Sequence, residues 1–403
     1  MLRVQLLVQL LLSGVATQRG AAGRGYPSAH TSYPNVPWPL PDRMSAGNES
    51  VVVPPELVLH CPADGGCDPS ACAANSTLNR AVARYSRIVS PARAPPPQAG
   101  EKVLAQTIHI CVTHAAELLG PAMNESHTLS VPSEAGGSIR VGAQSQHGAL
   151  RALESLAHLV SMSRPGRIVN APVEIEDAPR WPVRGLMVNP AGRFMSIPFL
   201  KRVVDGLVVN KMNYLHIHFT DVASFPVHSD TYPQLAAMGR FSRLVWHSPS
   251  TQAVYSTSDL KSLVAYAAER GVRVVPEFDM PGHGGWNYGM PEICLTSCPS
   301  ILDVTKEQVY EVLTNFLGEM SEIFTDPVMM LGGDEVGISC HDPSTGKDML
   351  LSAFDRDKGA AGRMKQLGIN SSTVRHATSL HHSSTRPTTP SNPRQLDPLI
   401  PVH

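Results

Sequence analysis

The chain has 403 residues, of which 42% are hydrophobic, 17% charged and 5% aromatic, with a formal net charge of -1. That length accommodates two domains with ordinary cores. The near-zero charge and the lack of a long basic run argue against nucleic acid as a partner, leaving neutral or mixed ligands.

Residues 1–16 open with Arg3, continue through a Leu/Val run over 4–12 and end on Gly14 and Ala16, the pattern of a secretory signal peptide. The apolar run is too short to span a bilayer, so no stable membrane anchor is expected. Sequons at Asn48, Asn75, Asn124 and Asn370 agree with secretion. The seven cysteines, Cys61, Cys67, Cys72, Cys111, Cys294, Cys298 and Cys340, lack the paired CxxC spacing of a zinc site. They imply disulfides formed in the secretory pathway, with an extracellular or lysosome- or vacuole-like destination, and the odd count leaves at least one unpaired.

Residues 17–50 are rich in Pro, Gly and Ser and predict an extended lead-in. A small α/β domain is expected over 51–177. Leu78, Val82, Tyr85 and Val89 mark one side of a helix over 72–89, strands are expected at 107–112, 127–131 and 138–141, and a helix over 148–162 follows. After Pro179-Arg180-Trp181-Pro182 the rhythm changes. Strands at 184–188, 213–219, 272–278 and 328–331 alternate with helices at 198–209, 258–270 and 305–324, the signature of parallel strands joined by crossovers.

Polar residues gather after each of these strands: Asn189, then Thr220-Asp221, then Asp279 with Gly282-His283, then Gly332-Gly333-Asp334-Glu335. This one-sided placement predicts a TIM-type (β/α)8 barrel with its site at the C-terminal strand ends. Only the first four β/α units are visible, as a partial barrel over 178–370. The Ser-, Thr-, Pro- and His-rich segment 371–403 is expected to be disordered.

The blocks Arg184-Gly185-Leu186-Met187-Val188, His216-Ile217-His218-Phe219-Thr220-Asp221, Pro276-Glu277-Phe278-Asp279-Met280-Pro281-Gly282-His283 and Leu331-Gly332-Gly333-Asp334-Glu335-Val336 stand in the order found in family 20 glycoside hydrolases, the β-N-acetylhexosaminidases. The chain resembles that family from about residue 51 to 340, including the small α/β domain with Gly148-Ala149-Leu150-Arg151-Ala152-Leu153-Glu154. The resemblance implies removal of terminal N-acetylhexosamine from glycans with retention, without metal or organic cofactor. Glu335 would be the general acid/base, Asp334 would hold the substrate's acetamido nitrogen, and His283 oriented by Asp221 would tune Glu335. The family's sugar-gripping arginine aligns with Gly192, so Arg193, one place later, is the substrate-binding candidate. The resemblance also implies disulfides pairing Cys72 with Cys111, and Cys340 with Cys298 or Cys294.

His216 and His218 share one strand face and are expected to be half-buried structural histidines, since no third ligand matches them. Nothing after Cys340 matches the pocket walls that the family takes from its last four strands. The competing reading is therefore a catalytically incompetent secreted member that binds glycans or partners. A homodimer is a further expectation.

Overall fold

The computed structural model describes residues 35–62, 66–239, 253–333, 336 and 384–385. The described residues fall into two compact units. The first holds those up to Arg184 together with Arg202–Asn213 and Glu269–Val272; the second holds Gly185–Lys201, Tyr214–Ala268 and those from Arg273 onward.

The strands of the first unit are β1 (Arg43–Val52), β2 (Val58–His60), β3 (Lys102–Val103), β4 (Thr107–His114), β5 (His127–Val131), β6 (Ile139–Ser145) and β7 (Arg167–Asp177), with helices α1 (Thr77–Val89) and α2 (Gln146–Leu159). They make one mixed sheet in the order β2-β4-β6-β5-β7-β1-β3. Alternation puts Ile108, Ile110, Val112, Leu129, Val131, Ile139 and Val141 on the inner face. Leu78, Val82 and Tyr85 of α1 and Leu150, Leu153 and Leu156 of α2 join the same buried cluster. The expected helix over 72–89 begins later, at Thr77. Ser76 caps it, accepting from the Asn79 backbone N–H at 3.1 Å, and Asn75 before it is left-handed at φ 68°.

β1 lies mostly inside the expected lead-in, and it pairs antiparallel with β7, which carries a proline in mid-strand. Both facts have one cause. The β1–β7 register shifts between Ala46 and Glu49, so Pro172 faces a bulge at Gly47-Asn48. The β5–β7 ladder stops at Val173, one residue short of Pro172. The missing proline N–H thus falls where neither neighbour requires it. Gly47 is obligatory at this approach: a Cβ there would sit 2.3 Å from the Ala171 carbonyl oxygen.

The disulfides differ from the expected Cys72–Cys111 pair. In this unit they are Cys61–Cys72 and Cys67–Cys111. The Asp68 N–H donates to the Val112 carbonyl at 2.6 Å, which lays Cys67 against Cys111 on β4. Cys61, just past β2, faces the short 3-10 turn Pro69–Cys72. Deeper in the unit, Glu125 is a buried hub. It accepts from Arg151 Nε at 2.6 Å, Arg184 Nη2 at 2.8 Å and Asn213 Nδ2 at 2.9 Å, and Arg151 Nη2 also donates to the Gly271 carbonyl at 2.8 Å.

The second unit contains β8 (Gly185–Val188), β9 (Tyr214–His218) and β10 (Arg273–Glu277), a parallel sheet in the order β10-β9-β8. It also has helices α3 (Ile197–Val209), α4 (Gln234–Gly239), α5 (Thr257–Ala268) and α6 (Glu307–Ile323), with a hairpin of β11 (Cys294–Leu295) and β12 (Cys298–Leu302) between α5 and α6. α3 starts in this unit and ends in the first. Then comes β13 (Val328–Met329), continued by a parallel bridge between Glu277 and Met330. Phe278 N–H donates to Met330 O at 3.1 Å, and Met280 N–H to Leu331 O at 3.0 Å. Four parallel strands therefore stand side by side in chain order, as in a β/α barrel. β14 (Ser384–Thr385), within the segment expected to be disordered, pairs antiparallel with β13.

Aromatic rings fill the space beneath the strand ends. Phe278 meets Phe316 at 5.0 Å between centroids, Phe225 meets Trp286 at 5.1 Å, and Phe219 and Phe324 join the group. Arg273 and Asp326, both 4% exposed, form a two-point pair at 2.7 and 2.8 Å. Among the described residues β8 has one sheet neighbour, and its Leu186 and Met187 are 49% and 54% exposed. No described helix is long and apolar enough to cross a membrane.

Candidate active site

The strand ends bring together residues far apart in sequence. β9 and β10 pair so that His218 lies opposite Glu277 and His216 opposite Val275. Glu277 Oε2 faces both imidazoles, at 2.8 Å from His216 Nε2 and 2.7 Å from His218 Nδ1. His218 Nε2 is 3.7 Å from Asp221 Oδ2, and Asp221 Oδ1 is 3.6 Å from His283 Nδ1. Asn189, at the end of β8, donates to Asp221 Oδ2 at 3.2 Å, and the Val222 N–H donates to Oδ1 at 2.6 Å. The result is a continuous polar row, His216, Glu277, His218, Asp221, His283.

The row is electrostatically polarised. Burial works against charge on His218, but the neighbouring carboxylates of Asp221 and Glu277 outweigh it and raise the imidazole to about 10. Burial likewise opposes ionisation of Glu277, and the two histidines overcome it, lowering the carboxyl to about 2. Asp221 is held well below the usual carboxylate range, its burial outweighed by His218, His283 and Asn189.

Beside this row Asp279, 1% exposed, organises the approach of β13. Its backbone N–H donates to Thr220 Oγ1 at 3.0 Å, its carbonyl accepts from Trp286 Nε1 at 3.0 Å, and its Oδ1 accepts from the Gly333 N–H at 3.1 Å. Gly332 and Gly333 have φ of 67° and 106°, and a Cβ on Gly332 would lie 2.0 Å from Asp279 Oδ1. Both glycines are needed: one for close approach, each for a conformation that other residues avoid. Asp334 and Glu335 come next and lie outside the described residues.

The small N-terminal domain pattern described as beta-acetyl hexosaminidase like matches residues 37–159, and the catalytic-domain pattern of glycosyl hydrolase family 20 matches residues 181–384. The chain belongs to glycosyl hydrolase family 20. Beta-hexosaminidase A of Caenorhabditis elegans is 35% identical over 244 residues, covering 58% of this family 20 chain and 41% of the nematode protein. The chain thus spans about two fifths of that relative's length. Solved structures share the fold. A Flavobacterium johnsoniae chitobiase superposes with TM-score 0.65 at 22% identity, over 86% of this chain and 49% of its own. A Vibrio harveyi exo beta-N-acetylglucosaminidase in complex with N-acetylglucosamine gives 0.62 at 20%, over 82% and 50%.

Arg193 of the family 20 chain is exposed on the loop after β8. That loop is fixed on both sides of it. Asn189 Oδ1 accepts from the Gly192 N–H at 2.7 Å, and Phe194 stacks on Tyr255 at 4.8 Å. The Tyr255 hydroxyl donates to the Met195 carbonyl at 2.5 Å. Of the two cysteines offered to Cys340, Cys298 is disulfide-bonded and Cys294 is a buried free thiol, pushed up to about 12 by burial. Cys340 itself lies outside the described residues. The residue that sequence reasoning passed over is Glu277. Its signal was the parallel pairing of two strand ends, which sets a buried carboxylate opposite the second histidine of His-Ile-His. Among the described residues no group of three or more His, Cys, Asp or Glu is arranged to hold a metal ion.

Proposed function

We propose that this family 20 chain carries the catalytic strand ends of a β-N-acetylhexosaminidase acting on terminal non-reducing N-acetylhexosamine of glycans. One observation carries the reading: the Asp221–His283 pair and the Gly333 N–H on Asp279 gather at the ends of β9, β10 and β13, immediately before Asp334-Glu335. Two neighbouring acids at such a strand end suit the substrate-assisted scheme. Glu335 gives its proton to the departing glycosidic oxygen while the sugar's acetamido oxygen attacks the anomeric carbon. Asp334 accepts a hydrogen bond from the acetamido nitrogen and offsets the positive charge of the resulting oxazolinium. Glu335 then takes a proton from the water that reopens this ring, so the configuration is retained. His283, oriented by Asp221, tunes Glu335, and Arg193 contacts the sugar hydroxyls. The disulfides Cys61–Cys72 and Cys67–Cys111 support a route through an oxidising compartment.

The test is nitrophenol release from a nitrophenyl N-acetyl-β-glucosaminide by the purified chain. Glu335→Gln is expected to lower kcat by about 100-fold or more. Equal turnover of the two proteins removes Glu335 from the mechanism. A second reading, a member that binds glycans without cleaving them, draws on the exposure of Leu186 and Met187, since a closed barrel buries its first strand. It predicts a folded chain that retains N-acetylglucosamine on a column and releases no nitrophenol.

A further inference from the structure

The row at the strand ends is longer than the proposed chemistry uses. Asp221 and His283 are assigned there, but Asp221 Oδ2 also faces His218, and His218 is anchored on Glu277. Glu277 Oε2 in turn faces His216. None of these side chains is more than 19% exposed. A carboxylate at that depth rotates unless both oxygens are held. Asp221 Oδ1 accepts from the Val222 N–H at 2.6 Å and has His283 Nδ1 at ion-pair distance, 3.6 Å, while Oδ2 accepts from Asn189 at 3.2 Å and has His218 Nε2 at 3.7 Å. His218 has its own ring fixed at the far side, since Nδ1 is committed to Glu277 at 2.7 Å and only Nε2 is left for Asp221.

We propose that Glu277 and His218 are positioning residues of this site: Glu277 fixes the His218 ring, and His218 holds Asp221 in the rotamer that presents Oδ1 to His283. The pairing of β9 with β10 sets this up, because it places Glu277 directly across from His218. The charges alternate along the row, Glu277 negative, His218 positive, Asp221 negative. The protonated His218 therefore offsets part of the field that Asp221 exerts on His283 and keeps the His283 midpoint lower than an isolated Asp–His pair would set it. Asp279 also acts on His218 and favours its charged form. His216 meets Glu277 at 2.8 Å, one link further along the row from Asp221 and His283, and it serves as the internal control.

This inference rests on the hexosaminidase reading for its purpose, but its test does not need turnover. The imidazole resonances of the full chain are followed by NMR across pH. In the wild-type chain His218 is expected to stay protonated past pH 8, and a His218 that titrates near its ordinary value of 6.5 overturns the proposal without any variant. In His218→Gln and Glu277→Gln the His283 midpoint is expected to rise by roughly half a unit or more, and in His216→Gln to stay at the wild-type value. A purely structural role would lower the melting temperature and leave the His283 midpoint in place, which also overturns it. If the chain turns over substrate, His218→Gln is expected to lower kcat and displace the pH–rate profile with little change in KM. Absence of turnover in a chain with the expected titrations would sink the activity while the positioning row stands.

Discussion

At the scale of single residues, the strand-end row makes stability depend on pH in two opposite ways. The raised His218 contributes stability that is complete below about pH 6.5 and is lost as pH climbs towards 10. The lowered Glu277 contributes stability that is complete above about pH 4.5 and is lost as pH falls towards 2. Between those limits both terms act in full. Calorimetry from pH 3 to 10 should therefore show the highest melting temperature within that window and a fall of several degrees on either side. His218→Gln should flatten the alkaline limb, and a steep alkaline limb retained in that variant would mean that other groups cause it.

Among elements, two ion pairs of the first unit illustrate how burial decides worth. Glu125 holds Arg151, whose side chain is 2% exposed, so Glu125→Ala leaves a cation buried without its counter-charge and should cost about 3–5 kcal/mol in urea unfolding. Glu49→Ala removes a partner of Lys102 from a pair more than two fifths exposed on both sides and should cost less than about 1 kcal/mol. Similar losses for the two would undo the assignment of Glu125 as a hub. The elements themselves were unequally legible from sequence. Helices α2, α5 and α6 follow their apolar period, β9 follows its alternation of polar and buried apolar residues, and β10 is buried along its whole length as inner parallel strands are. β1 and β7 were not legible, since Gly47 and Pro172 are breakers in isolation and become compatible only when each faces the other across a bulge. In the site, Asp221 and His283 could be named from motifs, whereas the role of Glu277 needed the register of two strands. The cysteine pairing needed the hydrogen bond that carries Cys67 to β4, which no spacing encodes.

For the molecule as a whole, β8 is the feature with the widest effect. Its apolar Leu186 and Met187 are half exposed, and sheet edges of that kind pair with whatever strand they meet. Sedimentation of the purified chain should show average mass rising with concentration, and Met187→Lys should suppress the rise; a mass independent of concentration in both proteins would argue that this edge is already covered. The expected homodimer, if it forms, would be tested by the same experiment.

The two cystine bridges of the first unit overlap, with Cys67 enclosed in the Cys61–Cys72 span while its own mate stands on β4. Four thiols admit three connectivities, and Cys61, Cys67 and Cys72, close in sequence, offer one another easy mistakes before β4 has arrived. A host that cannot reshuffle mispaired thiols would accumulate a sheet stitched to the wrong turn. Recombinant work on this chain therefore belongs in a secretory host with a disulfide isomerase, and a mass map of its cystine peptides should precede any assay.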